Sequence, residues 1–180
     1  MEREVAGLVL APGEDAVRAW ARLPAGTPAA YVRFPRAGDL PLAAVQRLAR
    51  RGRILVDAAP RDADDVLDLA VAGAAGIVVW LADGGDVRAM ADAMGDGLLV
   101  GCTARELGAA AGIARELGVP LLVAGPAQPP EDLHGYVMDS AGPPVLRRFG
   151  AWPDAHPEAP AAPEAEPLPD AAPEVREGEL

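Results

Sequence analysis

Between Arg53 and Leu81 the sequence reads RILVDAAPRDADDVLDLAVAGAAGIVVWL, one complete strand–helix–strand unit with every boundary signalled. Ile54-Leu55-Val56 is a short apolar run of the kind that a strand buried on both faces requires. Asp62 and Asp65 open a helix, Leu67 to Ala72 carries it, Gly73 stops it, and Ile77-Val78-Val79-Trp80 is the next buried strand. The unit recurs. The helix-stop glycines Gly52, Gly73, Gly95 and Gly118 stand 21, 22 and 23 residues apart. With Val56 set on Val123, Asp64-Asp65-Val66 falls on Glu131-Asp132-Leu133, and Gly76-Ile77-Val78 corresponds, after a deletion, to Gly135-Tyr136-Val137. A leucine-rich repeat has a similar period but needs an LxxLxL ladder that is absent, so the period describes lean β/α units joined by right-handed crossovers.

The remaining elements follow the same rhythm. Val5–Leu10 is the first strand. Glu14-Asp15 opens a helix with Val17, Trp20 and Ala21 on one face, and Ala30–Phe34 is the second strand. Asp39 is placed to cap a helix with Pro41 in its first turn and Leu42, Val45, Leu48 and Ala49 on its apolar side. Val87, Met90, Ala91 and Met94 mark a helix before the fifth strand, Leu98–Gly101. Thr103-Ala104-Arg105-Glu106 is a capping box ahead of a helix carrying Leu107, Ala110, Ala114 and Leu117. Leu121–Ala124 and Tyr136–Met138 are strands six and seven. About seven parallel strands in β/α order admit two closures, a TIM-barrel-like (β/α) fold or an open doubly wound α/β sheet.

Past Phe149 the composition changes to closely spaced prolines and acids with little that is apolar beyond alanine. The expected organisation is a barrel-like domain over 1–150 and a disordered acidic Pro/Ala-rich tail over 151–180, a segment suited to a protein partner. The formal net charge of −11 is concentrated there, because residues 151–180 hold eight acids against Arg176. The body is only mildly acidic, and no basic stripe invites nucleic acid.

No apolar run is long enough to span a membrane, and Met1-Glu2-Arg3-Glu4 does not begin a signal peptide, so a cytoplasmic protein without a membrane partner is expected. Cys102 is the single cysteine and His134 and His156 the only histidines, which gives neither a disulfide nor a metal site, and no cofactor is implied. The chain contains no lysine, so Schiff-base chemistry on lysine is excluded.

At Val56-Asp57-Ala58-Ala59-Pro60-Arg61-Asp62-Ala63-Asp64-Asp65-Val66 the chain resembles the strand-three turn of the histidine-biosynthesis isomerase and cyclase barrels, V-G-G-G-I-R-S-x-E-D-V. Val123-Ala124-Gly125-Pro126-Ala127-Gln128-Pro129-Pro130-Glu131-Asp132-Leu133 resembles their strand-seven turn, S-G-G-V-S-S-x-x-D-L. The likeness covers most of residues 5–142, with one β/α unit missing from the second half. It implies a (β/α) barrel in which glycines after two strands let the backbone approach two phosphates, while two aspartates serve as acid and base on a ribosyl amine. The sequence departs from that pattern: Asp57, Ala58 and Ala59 replace the strand-three glycines, Trp80 replaces the glycine ending the fourth strand, Pro126 stands beside Gly125, and Ala11 replaces the strand-one aspartate.

In a barrel the residues just past the strand ends share one mouth. Asp57, Asp139 and Glu14 are the candidate acids and bases, set against structural ion pairing of Asp57 and Asp139 with Arg33 or Arg61. Arg33, Arg36, Arg61, Thr103, Gly125 and the Ser140-Ala141-Gly142 turn are the candidate contacts to a small phosphorylated metabolite. Cys102 at a helix N-terminus is a candidate nucleophile or a small buried apolar residue. Two functions follow: an isomerase-like barrel that binds or acts on a phosphorylated metabolite, or a non-catalytic binding or assembly module with an acidic interaction tail.

Overall fold

The computed structural model describes residues 4–36, 38–139 and 143–152. The expected Ser140–Gly142 anion turn and nearly all of the acidic tail therefore lie outside the described residues. Eight strands close into a barrel in sequence order: β1 (Glu4–Val9), β2 (Ala29–Arg33), β3 (Arg53–Asp57), β4 (Gly76–Trp80), β5 (Leu98–Thr103), β6 (Leu121–Ala124), β7 (Gly135–Asp139) and β8 (Val145–Phe149). Helices α1 (Ala16–Trp20), α2 (Leu42–Ala49), α3 (Ala63–Val71), α4 (Val87–Met94) and α5 (Leu107–Leu117) fill the connections from β1 to β6. The open-sheet alternative is thus excluded, and the expectation of seven parallel strands is corrected. β1 to β7 pair in parallel, while the eighth strand runs antiparallel to both β7 and β1 and closes the barrel between them.

β8 escaped the sequence reading because VLRRF neither runs apolar nor alternates: Arg147 and Arg148 are adjacent and put a charge on each face. Leu146 faces the barrel axis and Arg147 the outside, where it meets Glu4 at 3.2 Å. No helix follows β6 or β7 among the described residues, so the outer face of β7, β8 and β1 carries exposed Asp139, Arg147 and Glu4. A sheet covered on one face alternates, whereas β4, Gly76-Ile77-Val78-Val79-Trp80, is buried along its whole length because α3 and α4 cover it outside and the axis inside.

Two apolar layers hold the barrel. The outer one joins the strands to the helices through residues such as Val45, Leu48, Val66, Leu69, Met90 and Ala110. The inner one runs along the axis: Val5, Tyr31, Val78, Trp80, Leu99, Leu122, Tyr136, Met138 and Leu146. Glycine makes room for the large members. A Cβ on Gly101 would lie 2.7 Å from the Trp80 ring, and one on Gly76 would lie 2.6 Å from Leu55.

Two helix starts differ from expectation. The N-cap position of α2 is Pro41, which supplies no side-chain acceptor, rather than Asp39. In α1 the buried residues are Ala16 and Ala19, since five residues make little more than one turn and the small side chains lie closest to the strands. Of the helix-stop glycines, Gly73, Gly95 and Gly118 adopt positive φ, whereas Gly52 serves close packing, with a Cβ there 3.1 Å from the Pro28 carbonyl.

Candidate functional site

The C-terminal ends of β2, β3 and β4 build one polar cluster on the barrel axis. Arg33 and Asp57 are direct cross-strand partners, and Tyr31 lies two residues before Arg33 on the same face of β2. Asp57 is 1% exposed. Its Oδ2 accepts from the Tyr31 hydroxyl at 2.5 Å and from Arg33 Nε at 2.8 Å, and Arg33 Nε also donates to the Tyr31 oxygen at 3.1 Å. The guanidinium of Arg33 lies 5.6 Å from the centre of the Trp80 ring and 5.8 Å from that of Tyr31, within cation–π range of both. Burial opposes the charge on Arg33, but its hydrogen bond to Asp57 and the neighbouring Tyr31 and Asp57 oxygens hold its pKa above the ordinary value. Burial, then the Asp57 charge and hydrogen bond, push the Tyr31 phenol far above its ordinary range, so it is a fixed donor.

Trp80 packs beside this cluster and is itself 6% exposed. Two buried polar atoms on these adjacent strands, Asp57 Oδ1 and Trp80 Nε1, have no hydrogen-bond partner among the described residues. One is an acceptor and the other a donor, and leaving each unsatisfied costs about 1–3 kcal/mol.

The other candidate residues are engaged locally. Glu14 accepts from the Ala11 backbone N–H at 2.9 Å and pairs with Arg22 at 3.0 Å. Arg36 pairs with Asp83. Arg61 clasps Asp65 through two nitrogens at 2.8 and 3.1 Å, and with a third bond from its own N–H this holds the Asp65 carboxyl below the usual carboxylate range. Thr103 donates through both its backbone N–H and its hydroxyl to the Glu106 carboxylate, at 2.9 and 2.8 Å. Gly125 takes a left-handed φ of 86°, and its N–H donates to the Met138 carbonyl at 3.1 Å. Asp139 follows inward-facing Met138 and so starts from the outer face of β7, whereas Asp57 points to the axis from β3. The two carboxylates do not share a face. Cys102 is fully buried on the helix side of β5, and burial with the nearby Glu106 charge raises its thiol to about 11, which leaves it a core side chain rather than a nucleophile.

The strand-three turn is strained at one residue. Ala59 has φ 50°, a left-handed conformation that costs an L-residue roughly 1–2 kcal/mol. It is the only described non-glycine residue with positive φ, and it stands where the resembled motif has glycine.

The opposite end of the barrel is hollow. A cavity of about 760 Å³ opens at the N-terminal ends of the parallel strands, lined by Val5, Ala29, Arg53, Leu55, Gly76, Leu99 and Tyr136 from the wall and by Pro24, Pro28 and Pro120 from the loops. Trp152, which follows Gly150, closes one side of it, stacked at 4.3 Å on the Arg148 guanidinium and 5.1 Å from the Tyr136 ring. The sequence reading missed both Tyr31 and this cavity. Tyr31 was legible in principle, because it lies at i−2 from Arg33 on one strand face. The cavity was not, since nothing in one strand announces which inward residues of the others are small.

Comparison with protein-family models, curated proteins and solved structures returned no match to this chain. Among the described residues no helix is long and apolar enough to cross a membrane, and no group of three His, Cys, Asp or Glu side chains could hold a metal ion.

Proposed function

We propose that this chain is a non-catalytic α/β-barrel module, a TIM-barrel-like relative of the histidine-biosynthesis isomerases whose C-terminal mouth has been closed to chemistry. The observation that carries the reading is the burial of Asp57: with Trp80 packed beside the cluster, its carboxylate is 1% exposed and already shared by Tyr31 and Arg33. An acid or base must reach a substrate proton within hydrogen-bond distance, and a carboxylate 1% exposed with two internal donors does not. Each arginine expected to draw a phosphate holds a carboxylate of the chain instead: Arg33 that of Asp57, Arg36 that of Asp83, Arg61 that of Asp65. Gly125 contributes a turn conformation rather than a donor, because its N–H is committed to Met138. Ala59 supports the lineage, since a left-handed turn without its glycine is what loss of a phosphate contact would leave behind.

Expression in a histidine auxotroph that lacks the aminoaldose–aminoketose isomerase tests the proposal. No growth without histidine is expected from soluble protein, and robust growth would overturn it. Calorimetric titration with ribose 5-phosphate adds a binding measurement, with a Kd no tighter than millimolar expected, about −4 kcal/mol.

A further inference from the structure

We infer that the N-terminal end of the barrel is a binding site for a small amphipathic monocarboxylate, its apolar body in the cavity and its carboxylate between Arg53 and Arg148. This deepens the reading of a non-catalytic module by giving it a ligand, at the end of the barrel remote from the closed mouth.

The wall supplies the shape. The inward position at the start of β2 carries only Ala29, while at the start of β4 Gly76 gives its space to Leu55 and Leu99, and these four residues line the hollow. About 760 Å³ is within the range of pockets that enclose drug-sized ligands, and those too are mostly apolar with a few placed polar groups. Leu55 and Ala29 belong to the axial apolar cluster yet remain partly exposed, because the hollow admits solvent to them. Covering them with an apolar ligand is favourable at about 25 cal/mol per Å².

The charges supply the head-group preference. Four charged residues line the cavity: Glu4, Arg53, Asp96 and Arg148. Glu4 is neutralised by Arg147 on the outer face. Asp96 is exposed in the turn before β5, where water solvates it. Neither Arg53 nor Arg148 makes an ion pair among the described residues. Arg53 begins β3 on the inward face shared with Leu55, and Arg148 faces inward from β8 two residues after Leu146. The Arg148 guanidinium lies over the Trp152 ring, 4.3 Å from its centre, a contact that uses none of its N–H groups and so leaves them for a carboxylate. Aromatic Tyr136 and Trp152 complete the floor.

The test is calorimetric titration of the full chain with decanoate, decanol and decyltrimethylammonium. Saturable one-to-one binding of decanoate is expected, at least 10-fold tighter than decanol, with no binding of the cation. Leu99→Trp and Ala29→Leu, which fill the hollow from two different strands, should each weaken decanoate at least 10-fold. Because both also crowd the barrel interior, Arg53→Ala combined with Arg148→Ala provides a rim-only arm: decanoate falls to the affinity of decanol and decanol is unchanged. Absence of saturable decanoate binding, equal affinity for decanoate and decanol, or decanoate binding untouched by the arginine substitutions would each overturn the inference. Because none of these residues belongs to the C-terminal mouth, its failure would leave the proposal of a closed mouth standing, and growth of the auxotroph would leave this site standing.

Discussion

The two ends of the barrel are built from the same eight strands and have opposite contents. At the C-terminal end Trp80 fills the axis over Gly101, and the charge of Asp57 is absorbed by Tyr31 and Arg33. At the N-terminal end a cavity of about 760 Å³ lies among Ala29, Leu55, Gly76 and Leu99, and Arg53 and Arg148 stand without carboxylate partners among the described residues. α/β barrels ordinarily place chemistry at the C-terminal end, where the βα loops converge. Here the distribution of large and small inward side chains fills the C-terminal end and leaves a cavity at the N-terminal one. Which end of a barrel is open is therefore a property of a few inward positions rather than of the fold.

The largest effect that could break this comparison is at Asp57. Replacing it by Ala leaves the Tyr31 hydroxyl and the Arg33 guanidinium facing a cavity, and a loss of about 3–5 kcal/mol is expected by urea denaturation. Arg33 is about a third exposed and can turn toward water, so the lower end of that range is the firmer expectation. A loss below about 1 kcal/mol would mean that the cluster does not hold the mouth closed.

Next comes the dryness of the wall beside it, reported by Cys102. Its thiol is raised to about 11 from an ordinary value of 9.0. The folded state thus holds the proton more tightly than the unfolded one, so the thiol's contribution is fully present below about pH 9, falls as pH rises toward about 11, and is constant above it. On the order of 2–3 kcal/mol is expected to disappear across that window relative to Cys102→Ala. A flat difference between the two proteins from pH 8 to 11.5 would place water against β5 and weaken the picture of a sealed upper half.

Paired substitutions sharpen the contrast directly. Gly101→Ala forces a methyl against the Trp80 ring and should cost about 1–3 kcal/mol. Ala29→Val adds volume of the same kind at the hollow end, on a strand that favours β-branched residues, and should change stability by less than about 0.5 kcal/mol. Equal costs would show that the two ends are packed alike.

The smallest effect is at the strand-three turn. Glycine substitutions usually destabilise, but Ala59→Gly relieves a left-handed alanine and should stabilise by up to about 1 kcal/mol in the same denaturation assay. A loss would mean that the turn does not hold φ near 50° in solution.

The amino-acid sequence by itself determined the seven parallel strands and the helices between them, because a strand covered on both faces must be apolar throughout and a helix must end where a left-handed residue is affordable. Ile54–Val56, Ile77–Trp80 and Leu121–Ala124 are such strands, and Gly73 and Gly118 such stops. It also offered an ion pair of Asp57 with Arg33 or Arg61 beside the acid/base reading, and a buried apolar role for Cys102 beside that of a nucleophile. It did not reveal β8, whose adjacent Arg147 and Arg148 put a charge on each face and read locally as a polar linker. It did not reveal the hydrogen bond from Tyr31 to Asp57, which depends on the register of β2 against β3. Nor did it show which end of the barrel is filled. The volume on the axis at any height is a sum over inward residues from eight strands at matched register, and residues as far apart as Ala29, Gly76 and Arg148 become neighbours only when the antiparallel eighth strand closes the ring.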